Sequence, residues 1–135
     1  MKVKKIKTLP LERAVNIYKA IADDSRLRIL SLMMKYGEIC VSDLEIILDF
    51  TQTKTSRHTT YLKNAGLLGR RKHEKWMLYF IRDEYKEFIE PAIESIAHNE
   101  LIENDLKSYY TLYSNNTLTT RHIHNLLKKY SLPEY

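Results

Sequence analysis

A chain of 135 residues, 44 % hydrophobic and 29 % charged, suits one globular domain, or one small domain with an extension used in assembly. No apolar run approaches a membrane span, the first seven residues lack the apolar stretch of a secretory leader, and a single cysteine rules out an intrachain disulfide and fits a cytoplasmic location. The net charge is only +5, but residues 83–105 hold eight acids and one lysine, a local −7 that leaves +12 for the remainder and predicts a basic working face with an acidic module apart from it.

Residues 1–10 form a basic N-terminal arm. The first helix is expected from Leu11 to Ala22, with Ala14, Ile17, Tyr18 and Ile21 on one face. Asp23 caps a second helix whose buried stripe is Leu27, Leu30 and Met34, and Gly37 ends it. Ser42 and Glu45 have the spacing of a capping box, opening a short third helix with Leu44, Ile47 and Leu48 inward. Thr51 then caps a fourth helix almost at once. Two short helices joined so tightly are a helix-turn-helix unit.

On the fourth helix, Thr55, Thr59 and Leu62 fall on one side, and Thr53, Arg57, Thr60 and Asn64 on the other. The inward side is polar, so threonine methyl groups must supply its packing. After Gly66 the period changes to two. Met77, Tyr79 and Ile81 alternate with Trp76, Leu78 and Phe80, a strand apolar on both faces that needs a cover on each. Residues 51–82 hold Lys54, Arg57, Lys63, Arg70, Arg71, Lys72, Lys75 and Arg82 against one acid, Glu74. A short helix with a polar, basic outer face suits the major groove, and a basic hairpin suits the phosphate backbone.

Beyond Asp83 two apolar stripes, Tyr85 to Ile96 and Ile102 to Tyr113, could form one helix about 45 Å long at 1.5 Å per residue. Pro91 implies a kink or restart, and His98-Asn99 is the weak point. A loop at residues 114–116 precedes a last amphipathic helix bearing Ile123, Leu126, Leu127 and Tyr130, stopped by Pro133. The expected class is mostly α with a small β-hairpin wing: a winged helix-turn-helix over residues 11–82, and a C-terminal helical dimerisation region and extension over 83–135.

These motifs resemble those of the ArsR family of bacterial winged-helix repressors. Residues 22–30 look like the family's second-helix signature, with Asp24 where proline is usual. Residues 39–44 match the entry to its third helix, Ser56-Arg57-His58 and Gly66-Leu67-Leu68 its recognition helix and exit, and Tyr79 with Ile81 its second wing strand. The resemblance covers roughly residues 12 to 98. It implies a homodimer joined by the first and last core helices that represses an inverted-repeat operator until an inducer, unidentified here, binds.

By that resemblance Gln52, Thr53, Ser56 and Arg57 reach base edges. Their chemistry agrees: Gln pairs bidentately with adenine, Arg with guanine, and Thr or Ser with either. Lys54, Thr60, Arg70, Arg71, Lys72, His73 and Lys75 are expected on the DNA backbone, setting affinity more than sequence choice. The competing reading is a winged helix used only for protein contacts, its charges solvating a surface.

No metal or cofactor is expected. The family's name-giving members hold arsenite through three thiolates around the third helix. Here only Cys40 remains, with Ser42 and Glu45 at the neighbouring positions, and one thiolate cannot supply the convergent set that soft ions need. His98 and Asp105 do not reproduce the spacing of the family's zinc-type site, and His122 and His124, two apart, point different ways on a helix. The chain carries no Gly-rich phosphate loop or nucleophile elbow, so an enzyme is not expected.

Overall fold

The protein is described by a computed structural model covering residues 8–127 and residue 133. Most of the basic arm, and Tyr130, lie outside the described residues. The elements run α1 (Leu11–Ile21), α2 (Asp24–Tyr36), β1 (Ile39–Cys40), α3 (Val41–Leu48), α4 (Gln52–Asn64), β2 (Leu68–His73), β3 (Trp76–Ile81), α5 (Asp83–Glu94), α6 (Glu100–Ser114) and α7 (Thr119–Leu127). This is a winged helix-turn-helix with added C-terminal helices.

Local chemistry explains most boundaries. The Asp23 carboxylate accepts from the Arg26 amide at 3.0 Å and starts α2. Gly37 ends it at φ +78°, a left-handed conformation that costs glycine little. Packing on α2 is broader than one stripe. Ile29, Leu30, Leu32 and Met33 are all buried, while Leu27 and Met34 are only partly so, because α1, α4, α5, α6 and β3 surround this helix. On α1 the core takes Ile17 and Ala20, and Tyr18, expected inward, is 55 % exposed.

The capping box does not form. Helix α3 starts two residues earlier than expected, with Cys40 at its N-cap and no side-chain cap, so Ser42 falls inside the first turn. Its hydroxyl lies 3.2 Å from the Cys40 sulfur. Asp43, fully buried, turns away to accept from the Thr119 amide (3.0 Å), the Thr120 amide (2.6 Å) and the Thr120 hydroxyl. A carboxylate on α3 thereby caps the start of α7, where free N–H groups favour negative charge.

The sheet order is β1-β3-β2, all antiparallel. Strand β1, unforeseen because it has only two residues, pairs Ile39 with Tyr79 and Cys40 with Leu78. Tyr79 and Ile81 enter the main core with Leu68. The opposite face of β3 is covered by this chain's own α7. Leu78 packs with Cys40 and Ile123, flanked by Trp76 and Leu127. Phe80 lies over its cross-strand partner Gly69, where any Cβ would come within about 2.5 Å of the ring. Leu126, expected in the apolar stripe of α7, is instead 52 % exposed.

The long C-terminal helix is two helices. Pro91 sits inside α5, which ends at Glu94, and Asn99 caps α6 by accepting from the Leu101 amide at 3.0 Å. The break falls at the foreseen His98-Asn99 point. Helix α6 returns onto α2 through the Arg28–Asp105 pair (2.8 and 2.9 Å) and the Tyr36–Tyr109 stack, with ring centroids 4.0 Å apart.

Candidate nucleic-acid interface

The turn between α3 and α4 is set by Asp49, left-handed at φ 56°, and by Phe50, which is buried. Thr51 caps α4 by accepting from the Lys54 amide at 3.1 Å. The polar inward face is resolved as its chemistry requires. The Thr55 hydroxyl donates to the Thr51 carbonyl (2.9 Å) and the Thr59 hydroxyl to the Thr55 carbonyl (3.0 Å), so the donors are satisfied within the helix. Thr55, Thr59 and Leu62 are all buried.

His58 joins that face, which the sequence reading overlooked, although its spacing from Thr55 and Leu62 places it there. It meets Arg26, the centre of a brace between α4 and the α1–α2 corner. Arg26 Nε donates to the Ala20 carbonyl (2.6 Å), Nη2 to the Lys19 carbonyl (3.2 Å), and Nη1 contacts His58 Nδ1 at 3.3 Å. The guanidinium also lies 4.1 Å from the centre of the Tyr61 ring. Arginine can only donate, so Nδ1 accepts and the imidazole is neutral.

Burial holds the His58 pKa below the usual imidazole range, with Arg26, Arg57 and Lys54 adding repulsion and Asp23 opposing. The folded state therefore binds fewer protons than the unfolded one. Stability from this group is full above the ordinary imidazole pKa and is lost as pH falls through the depressed value. Thermal melts from pH 7.5 down to 5 should show that loss, and His58→Asn should lessen it. His124, lowered mainly by its own burial, contributes the same sign. A slope unchanged by His58→Asn would show that His58 is not the titrating group.

On the outward face, Gln52, Thr53, Ser56, Arg57 and Thr60 are exposed and line one shallow, open depression. Lys54 lies beside them, its ammonium 4.1 Å from the centre of the Phe50 ring. The helix presents its polar N-terminal surface outward while its other side is locked into the core.

The wing divides its cations by strand alternation. Arg70 and Lys72 are exposed on one face of β2, and Lys75 is exposed at the tip beside Glu74, itself left-handed at φ 54°. Arg71 and His73 point to the other face. Arg71 makes a two-pronged pair with Glu38 (3.0 and 2.5 Å), and His73 has its Nε2 buried. Both remain partly exposed on that face.

Among the described residues no three His, Cys, Asp or Glu side chains gather as a metal site would require. Cys40 is buried, and burial pushes its thiol pKa up. No described helix is long and apolar enough to cross a membrane.

A sequence profile described as bacterial regulatory protein, arsR family, matches residues 23–69. An arsenic resistance transcriptional regulator of Pseudomonas putida is 32 % identical over 91 residues, spanning 66 % of this chain and 71 % of that protein. The arsenical resistance operon repressor of Escherichia coli K12 is 45 % identical over 65 residues, 48 % of this chain and 56 % of its own length. Among solved structures, HlyU from Vibrio cholerae superposes with a TM-score of 0.57 at 32 % identity, covering 62 % of this chain and 91 % of that one. The homodimeric winged helix-turn-helix DNA-binding domain of a possible ArsR-family regulator from Mycobacterium bovis gives 0.58 at 26 % identity, covering 69 % and 85 %.

Proposed function

The chain belongs to the ArsR family of winged helix-turn-helix transcriptional regulators, and from that premise we propose that it is a repressor that binds an inverted-repeat operator as a homodimer. The observation that carries the reading is the outer face of α4. Gln52, Thr53, Ser56 and Arg57 stand exposed on a helix whose inner face is fixed by Thr55, His58, Thr59 and Leu62. In the major groove, Gln52 suits adenine and Arg57 guanine, with Thr53 and Ser56 bonding either. Lys54, Thr60, Arg70, Lys72 and Lys75 supply phosphate contacts. Arg71, paired with Glu38 and still partly exposed, and His73 belong to the same proposed backbone set from the other face of β2.

Arg57→Ala should cost about 1–3 kcal/mol on the preferred sequence and relax preference at one base position. Lys72→Ala should weaken all sequences alike and lower the salt slope by about one. Binding titrations on matched duplexes at several salt concentrations separate the two. Equal loss on every sequence from Arg57→Ala would contradict direct readout.

Leu11, Val15 and Tyr18 are 81 %, 40 % and 55 % exposed and fall along one face of α1, with Tyr18 meeting Phe88 of α5 at 5.8 Å between rings. We assign this apolar stripe to the homodimer contact. Val15→Asp should shift sedimentation from dimer toward monomer and weaken DNA binding with it. Residues 11–82 serve as the DNA-binding unit and 83–135 as the dimerisation region and extension. The activity is non-enzymatic, needs no metal or cofactor, and belongs in the cytoplasm.

A further inference from the structure

The cavity where α2, α5 and α6 meet is built unlike the packing beside it. Helices α2 and α6 are clamped at Arg28–Asp105 and at the Tyr36–Tyr109 stack, and beside these contacts the end of α5 joins them around an open cavity. The space is about 360 Å³, walled chiefly by Met34, Ile93, Ala97, Ile102 and Leu106. Protein interiors are close-packed, and apolar walls left without partner atoms lose dispersion contacts. The volume lies within the range of small-molecule sites, roughly 300–1,000 Å³.

We propose that this cavity is a binding site for an uncharged, ring-containing organic molecule that carries a hydrogen-bond donor. The apolar walls select the ring. The rim carries charges of both signs, Lys35 and Lys107 with Glu94 and Glu103, beside His98, so it favours neither an anion nor a cation outright. Ser31, buried in the lining, already gives its hydroxyl proton to the Leu27 carbonyl at 2.8 Å and offers an incoming group only lone pairs. Helix α5 carries Ile93 at the cavity and Phe88 at the α1 stripe, so occupancy bears on the dimer contact and through it on DNA. That consequence, unlike the site itself, rests on the regulator reading above.

The test titrates the full chain with 2-naphthol, a two-ring probe with one hydroxyl donor, and with 2-methoxynaphthalene, which lacks it. Binding is followed by fluorescence on the wild type, Ala97→Phe and Ser31→Ala, with far-UV circular dichroism on each. The wild type should saturate at one 2-naphthol per chain and prefer it to the methyl ether by roughly two- to tenfold, the worth of one hydrogen bond. Ala97→Phe, which fills the space, should weaken binding at least about tenfold. Ser31→Ala should erase the preference.

No saturable binding by the wild type overturns the proposal, as does unchanged binding by a folded Ala97→Phe. If Ala97→Phe misfolds, Ser31→Ala decides, and an undiminished preference there overturns it. The same samples are mixed with a random duplex pool. A wild type that takes up 2-naphthol but no DNA would defeat the regulator reading and leave the cavity site standing.

Discussion

Arg28→Met should destabilise the folded chain by about 3–5 kcal/mol, measured by urea or thermal unfolding. Asp105 is only 4 % exposed, and both its oxygens are bound by the one guanidinium, at 2.8 and 2.9 Å. Removing the cation leaves a buried carboxylate without its counter-charge, which costs far more than the pair itself contributes. The double variant Arg28→Met with Asp105→Leu should therefore recover most of the loss. The guanidinium also lies 5.1 Å from the centre of the Phe50 ring, at the turn between α3 and α4. Failure of this pair should loosen the DNA-reading unit as well as α6. A single variant as stable as the wild type would show that α6 is not held by this contact.

Asp43→Ala should free α7 from the wing. Three donors at the start of α7 lose their acceptor, an expected cost of about 2–5 kcal/mol, and the Leu78–Cys40–Ile123 cluster opens. Dye binding to the exposed face and a lowered melting temperature report it. The pH dependence has a definite sign. Burial raises the Asp43 pKa against the opposing hydrogen bonds from Thr120 and Thr119, so the folded state holds its proton to higher pH than the unfolded one. The contribution is full below the ordinary carboxylate pKa, about 3.9, and falls as pH rises through the raised value. Asp43→Asn removes that slope. If melts of the wild type and Asp43→Asn keep the same pH slope, Asp43 is not the group responsible.

Much of the fold was legible because single residues announce single local events. Asp23, Gly37, Thr51 and the period change after Gly66 each act within a few residues, and each stands where the sequence placed it. What escaped depends on contacts far along the chain. Ser42 and Glu45 have capping-box spacing, but Asp43 between them is drawn to residues 119 and 120, and the helix begins earlier. The buried stripe of α2 was drawn too narrow because five elements pack around it.

At the site, the outward set on α4 was readable from a 100° step, since one face had to carry Thr55, Thr59 and Leu62. On the wing, the sequence showed five basic residues as one patch and not how the strand divides them. Alternation along β2 sends Arg70 and Lys72 one way and Arg71 and His73 the other. The need for a cover over Trp76 and Leu78 was visible in the two-sided apolar strand. That α7 of the same chain supplies it required the structure.

Selection of bound sequences from a random duplex pool, with the winners then titrated against salt, tests the central claim most directly. Sequence-specific readout by two copies of α4 predicts enrichment of an inverted repeat with half-sites about one helical turn apart, roughly 34–36 Å, and affinity that falls steeply with salt. Arg57→Ala should lose one position of that repeat and keep the rest. A pool that emerges unenriched, or binding indifferent to salt, would contradict the account.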